Sequence, residues 1–198
     1  MIRLLERYLV EVVERHDFCP WARTARVRGE VGIEVLWGTP TLEQWVTTAN
    51  ELLARPKVQV AMVVAPELAM GRKAMHALRN EVSAGVPQAG VAEFHPDAPL
   101  DLETPSRTVP FTRRSPDPLM QLVPLSVLAT VRTNQGKVMI DPQALLLGQI
   151  PMPKRDTADR IAELNHARVK AQHASIVATL DDIAADRARS YAAVGIQI

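Results

Sequence analysis

The sequence predicts an α/β fold: a small, mainly parallel sheet of about three strands in a βαβαβ core, covered by helices and followed by a helical C-terminal third. Three observations lead there. Val31, Ile33, Val35 and Trp37 alternate with Glu30, Gly32 and Glu34, the period of a strand with one covered face. Residues 58–65 are apolar at nearly every position, as a strand buried on both faces requires, and residues 91–95 supply a third run. Between these runs lie two stretches of helical period, each long enough to carry the chain back for parallel pairing.

Each element has its own signal. In residues 2–17, Ile2, Leu5, Leu9, Val12 and Val13 recur with Arg3, Glu6, Arg7, Glu11, Glu14 and Arg15 between them, which makes one buried helical face; Pro20 stops that helix. Arg23, Arg26 and Arg28 then form a short basic connector. After Gly38-Thr39-Pro40, Thr41 and Gln44 fit a capping box, and the helix it opens buries Leu42, Trp45, Val46, Ala49, Leu52 and Leu53 before Pro56 closes it. A further helix, about residues 67–84, turns Leu68, Met75, Leu78 and Val82 inward and leaves Arg72, His76 and Arg79 together on an outer stripe, ending at Gly85.

After His95 the periodicity stops. Six of the 15 prolines fall in residues 96–118, a long irregular loop of the kind that carries function or disorder. Asp117-Pro118 reads as an N-cap with proline at the first helical position, so residues 119–132 are expected to be helical, in two pieces because of Pro124. Residues 136–140 are open to a fourth strand, Asp141-Pro142 starts a short helix ending at Gly148, and Ile150-Pro151-Met152-Pro153 is a stiff spacer. Residues 157–189 form the longest helix, with Ala162, Val169, Ile176 and Ile183 seven apart and Leu180 beside them. That narrow stripe packs along the domain or against a second copy of the chain as a homodimer. The expected division is one α/β domain over residues 1–155, proline-rich loop included, and a helical extension over residues 156–198.

Composition removes several function classes. At 198 residues, 47% hydrophobic and 23% charged, the chain can bury one core without staples. Lys+Arg of 23 against Asp+Glu of 22 leaves a net charge of +1, far from the basic surface of a nucleic-acid binder, so no nucleic-acid partner is expected. The longest apolar run, residues 58–66, is interrupted by Gln59 and covers about half of the roughly 20 residues a membrane-spanning helix needs. The charged start Met-Ile-Arg-Leu-Leu-Glu-Arg is unlike a secretion signal, and no membrane association is expected. A single cysteine, Cys19, precludes an internal disulfide and fits a cytoplasmic location. No metal site is expected: His166 and His173 are too far apart along one helix, and Asp181, Asp182 and Asp186 read as its solvated end. Glycine-rich phosphate loops, Gly-x-Ser-x-Gly elbows and His-Glu-x-x-His are absent.

Three features carry candidate chemistry. His95 ends a core strand, where open α/β sheets bind ligands, and an imidazole there can serve as general acid or base; the alternative is a histidine that caps loop backbone. Arg113-Arg114-Ser115 precedes the expected helix start, an arrangement suited to an anion, unless one arginine only pins the loop to Asp101 or Glu103. Cys19 follows the negative end of the first helix, which disfavours a thiolate, although Arg23 and Arg26 offset this and His16 lies three residues away.

Cys19-Pro20-Trp21-Ala22, Phe94-His95-Pro96 and Arg113-Arg114-Ser115-Pro116-Asp117-Pro118 together resemble, in order and spacing, a bacterial and plant family known only as a domain of unknown function. The resemblance spans about residues 2–155 and implies a shared fold and site without an activity. This chain departs from the family pattern at Arg113, where asparagine is usual, and at Gln121, Pro124 and Leu125, where a His-Leu-Leu-Arg-Glu-like stretch would stand. The expected function is binding of a small anionic molecule in a pocket formed by Cys19, His95, Arg114 and Ser115, with Arg113 beside them. If chemistry occurs, His95 and Cys19 are its candidates, with His95 as acid or base; no cofactor is indicated. The alternatives are a non-catalytic binding module, with Cys19 and His95 as axial ligands to a haem for instance, and a structural protein that dimerises through its last helix.

Overall fold

The computed structural model describes residues 1–134 and 157–196; the expectations for residues 136–153 lie outside them. The helices are α1 (Ile2–Tyr8), α2 (Ala22–Val27), α3 (Leu42–Leu53), α4 (Arg72–Gly85), α5 (Pro105–Thr108), α6 (Leu125–Asn134) and α7 (Thr157–Ala192). The strands are β1 (Val31–Val35), β2 (Val60–Val64), β3 (Ala89–Phe94) and β4 (Leu119–Pro124). α1 runs on through Leu9–Glu14 with the wider pitch of a π-helix, as the 3.2 Å bond from the Arg15 N–H to the Val10 carbonyl records. Asp17, at φ 50°, ends it. The basic stretch expected as a connector is itself helix α2, and a 3₁₀ turn occupies Phe111–Arg113.

The strands form one sheet in the order β1-β2-β4-β3. β1 and β2 pair in parallel, whereas β4 is antiparallel to both β2 and β3. The expected sheet of about three mainly parallel strands is thereby corrected. It has four strands, and two of its three ladders are antiparallel. The three expected strands do point the same way; β4 is threaded between the second and third against their direction.

The error lies in residues 119–124, read as helix and found as strand. A six-residue apolar run has no period that distinguishes the two. Tertiary context decides, because without β4 the facing edges of β2 and β3 would bury unpaired N–H and C=O groups. Strand alternation also serves both layers, with Leu119 in one core and Met120 and Leu122 in the other. Pro124 sits at the last position of the ladder, opposite Ala89, where its missing N–H costs little.

Helices cover both faces. On one, Met62, Val64 and Leu119 pack against Leu5, Tyr8 and Val12 and against Val169, Ile176 and Ile183 of α7. On the other, Ala61, Val63, Met120 and Leu122 pack on Trp45, Ala49 and Leu52 of α3 and on Met75 and Val82 of α4. Each such large aliphatic side chain contributes about 1.5–3 kcal/mol on burial. α3 starts with the expected capping box: the Gln44 N–H donates to Thr41 Oγ1 at 3.3 Å and the Thr41 N–H to Gln44 Oε1 at 2.8 Å. Gly32 is required where β1 meets α3, since a Cβ there would lie 2.9 Å from Val58 Cγ2 and 3.0 Å from Leu52 Cδ2.

α7 lies along α1 and is tied to it by charge as well as by the stripe. Arg3 and Arg7 each donate to Asp186 at 2.7 Å, and Arg7 also reaches Asp182 at 2.7 Å. Asp182 and Asp186, read from sequence as solvated, are thus ion-paired, and the hydrogen bonds from Arg3 and Arg7 hold the Asp186 carboxyl below the usual carboxylate range. Near its start, α7 bonds the end of the first helix through Arg168 to Asp17 at 2.6 Å and Asn165 to the Phe18 carbonyl at 2.9 Å.

Its last turns carry a buried network. Arg187 Nε donates to Asp117 Oδ1 at 2.6 Å, the Tyr191 hydroxyl donates to Asp117 Oδ2 at 2.8 Å, and Arg187 Nη2 donates to the Pro66 carbonyl at 3.0 Å. The guanidinium stands 5.0 Å from the Tyr191 ring centroid. The residue expected to cap a helix is therefore a fully buried carboxylate held by a distant one. Arg187→Met leaves that carboxylate without its counter-charge and is expected to lower unfolding free energy by about 3 kcal/mol in urea denaturation, with m unchanged.

Candidate functional site

The loop after β3 is built around His95. Its Nε2 lies 2.7 Å from the Met70 carbonyl oxygen, which only accepts, and its Nδ1 is 3.1 Å from the Asp97 N–H, which only donates. The ring must therefore be neutral with its proton on Nε2. Its own N–H donates to the Arg113 carbonyl at 3.1 Å. Buried and bonded on every side, His95 fastens the loop to the connection between β2 and α4. Arg114 Nε donates to the Pro96 carbonyl at 2.9 Å, and the buried Ser115 hydroxyl donates to the Asp117 carbonyl at 2.6 Å. The arginine that pins the loop to Asp101 and Glu103 is Arg107.

Beyond the carboxyl end of β3, beside the start of α4, this loop leaves a cleft of ≈ 380 Å³. Arg72, Lys73 and Arg113 bring positive charge to it, Met75, Ala98 and Pro110 supply apolar wall, and His76, Glu93 and His95 complete it. α4 begins at the cleft without a side-chain cap at Gly71, so its first N–H groups and positive dipole end add to the same sign. The Arg113 guanidinium stands 5.9 Å from the Phe94 ring centroid and has no hydrogen-bond acceptor or ion-pair partner among the described residues. Burial pulls its pKa below the usual guanidinium value, opposed by the charge of Glu93. Burial pushes Glu93 up, but its bond to His76, a backbone bond and the charges of Arg79 and Arg113 outweigh this and hold it below the usual carboxylate range.

Of the residues named from the sequence, His95 and Arg113 line this cleft, whereas Cys19, Arg114 and Ser115, expected to share a pocket with His95, do not. Cys19 packs instead against the core on the α1 side of the sheet. Burial raises its thiol pKa despite backbone N–H bonds from Trp21 and Ala22. His16 bonds Gln172 of α7 at 2.9 Å and stacks near Phe18, so it is committed to helix docking. As axial haem ligands Cys19 and His95 would need free donor atoms, and both nitrogens of His95 are engaged by backbone. The cleft residues missed as a site were Arg72, Lys73, His76 and Glu93; the signal was the stripe of Arg72, His76 and Arg79 at helical spacing. Among the described residues no group of three or more His, Cys, Asp or Glu could hold a metal ion, and no helix is long and apolar enough to cross a membrane.

Residues 1–137 match the model of a family described as a protein of unknown function, DUF1415. The chain belongs to this family. The resemblance read from the three motifs is thereby shown at the level of the family, whose function is unknown. The DUF1415 match takes in all four strands and the cleft, while Arg187 and Tyr191, the partners of Asp117, lie beyond it. No curated protein and no solved structure matches the chain.

The state of Cys19 is directly measurable. Native protein is expected to react with iodoacetamide at pH 7.5 at least about tenfold more slowly than the same protein unfolded in urea, followed by mass spectrometry. Equal rates would show an exposed or activated thiol.

Proposed function

We propose that this protein binds a small anionic molecule, carrying phosphoryl, sulfuryl or carboxylate groups, in the cleft between the start of α4 and the loop after β3. The observation that carries the reading is Arg113: a half-buried guanidinium that opens on the cleft with no hydrogen-bond acceptor or ion-pair partner among the described residues, next to Arg72 and Lys73. A desolvated arginine donates charge-assisted bonds in bidentate geometry, and a cleft of ≈ 380 Å³ is of small-molecule size. The proposal keeps His95 and Arg113 from the sequence reading and replaces Cys19, Arg114 and Ser115 by Arg72 and Lys73. His95 acts as the clamp that shapes the wall. A cytoplasmic setting accords with the one unpaired cysteine. The stripe of α7 is spent within the chain, where Val169, Ile176 and Ile183 are buried, so a second copy is not needed to cover it.

The test is titration of ¹⁵N-labelled protein with inorganic phosphate at pH 7. Wild type is expected to saturate with shifts confined to the cleft, and Arg113→Ala to weaken binding about tenfold or more, as loss of a hydrogen bond to a charged group implies. Arg28→Ala removes the same charge from an exposed position beside β1, at the far edge of the sheet from the cleft, and is expected to leave the affinity within about twofold. Equal weakening by both substitutions, or no saturable binding, defeats the proposal.

A further inference from the structure

We propose that His76, positioned by Glu93, is the proton-transfer residue of the cleft, and that the cleft takes up its anion together with a proton. The inference rests on the anion-site reading above. His76 Nδ1 lies 2.8 Å from Glu93 Oε1, and Arg79 Nε holds the other oxygen, Oε2, at 3.1 Å. Because Glu93 is kept ionised it can only accept, so the neutral imidazole carries its hydrogen on Nδ1 and leaves Nε2 bare.

Arg79 does not fill that position. Its Nη2 is 3.4 Å from Nδ1 and 3.5 Å from Nε2. An atom nearly equidistant from both nitrogens and in the ring plane would collide with the carbon between them. The guanidinium therefore lies over the ring face, out of line with the Nε2 lone pair. The His76 side chain lines the cleft and is 54% exposed, so the ring is open to proton exchange with water or ligand held there. The arrangement is a carboxylate-oriented histidine, the pattern that fixes one tautomer and stabilises the imidazolium once formed. His95 cannot supply this, since backbone groups hold both its nitrogens.

The charges facing His76 give the coupling its sign. Arg72, Lys73 and Arg79 from α4 and Arg113 from the opposite wall oppose a further positive charge; Glu93 from β3 favours it; His95 is neutral. An anion entering the cleft cancels part of the opposition, so its binding favours protonation at Nε2. Linkage requires the converse, that protonation tightens the anion. The proton comes from solvent or from the acidic form of the ligand itself, and the imidazolium then holds one hydrogen on each nitrogen.

Sulfate is the probe, because it does not titrate in the range of a histidine. Wild-type affinity, read by calorimetry or by NMR shifts, is expected to fall about tenfold as pH rises from about 5.5 to about 8.5. His76→Gln is expected to be flat, at the weak high-pH level, and Glu93→Gln to move the midpoint to lower pH. Ligand-free wild type at high pH is expected to show the Nδ1–H tautomer of His76 in long-range ¹H–¹⁵N correlation. Sulfate binding that is flat in wild type, a pH dependence that survives in His76→Gln, or an Nε2–H tautomer overturns this inference and leaves the anion site standing. Absence of saturable sulfate binding at every pH overturns both.

Discussion

The Asp117 carboxylate between Arg187 and Tyr191 is the constraint on which the rest of the architecture turns. Asp117 stands one residue before β4 is entered through Pro118, whose carbonyl accepts from the Ala65 N–H at 2.9 Å, just past β2. Arg187 holds the carboxylate and, through the Pro66 carbonyl, the chain leaving β2. One guanidinium thus fixes the entry of the central antiparallel strand, the exit of its neighbour and the far end of α7. A buried charge pair of this kind adds little net stability compared with apolar packing, but breaking it leaves an uncompensated ion, so it specifies arrangement more than it supplies energy.

Local rules served where local forces decide. The capping box at Thr41 and Gln44, the alternation in β1 and the apolar run of β2 each place an element because a few neighbouring residues suffice to define it. The same rules misplaced residues 119–124. Asp117-Pro118 has the form of a helix start, yet its carboxylate is claimed from 70 residues away, and the segment becomes a strand because two open ladders need it. The cleft was half legible for a similar reason. The stripe of Arg72, His76 and Arg79 could be seen on a helix, but its meaning depends on Glu93, which only the crossover from α4 to β3 brings alongside.

The two histidines near the cleft show how environment, rather than residue type, assigns roles. His95 sits at the strand end where ligand chemistry is usual, and it is saturated by a carbonyl on one side and an amide on the other. His76 sits on a helix surface with an ordinary helical address, and its Nδ1 meets a Glu93 carboxylate oxygen at 2.8 Å while its side chain stays 54% exposed. Arg113 and Arg114 divide in the same way: adjacent in sequence, one is consumed by the Pro96 carbonyl and the other faces the cleft.

The placing of β4 also sets the order in which the chain can become itself. β1, β2 and the helices between and after them can associate as they emerge, since the β1–β2 ladder needs nothing later than Val64. β3 has no such option: each of its sheet partners lies in β4, so it must wait, complete but unpaired, until residue 124 has been made. The pairing then brings in a strand whose preceding carboxylate is still without Arg187 and Tyr191, which follow it by 70 and 74 residues. The last ladder of the sheet therefore closes only after residue 124 exists, and the carboxylate at its entry gains its charge partner only when the last turns of α7 arrive.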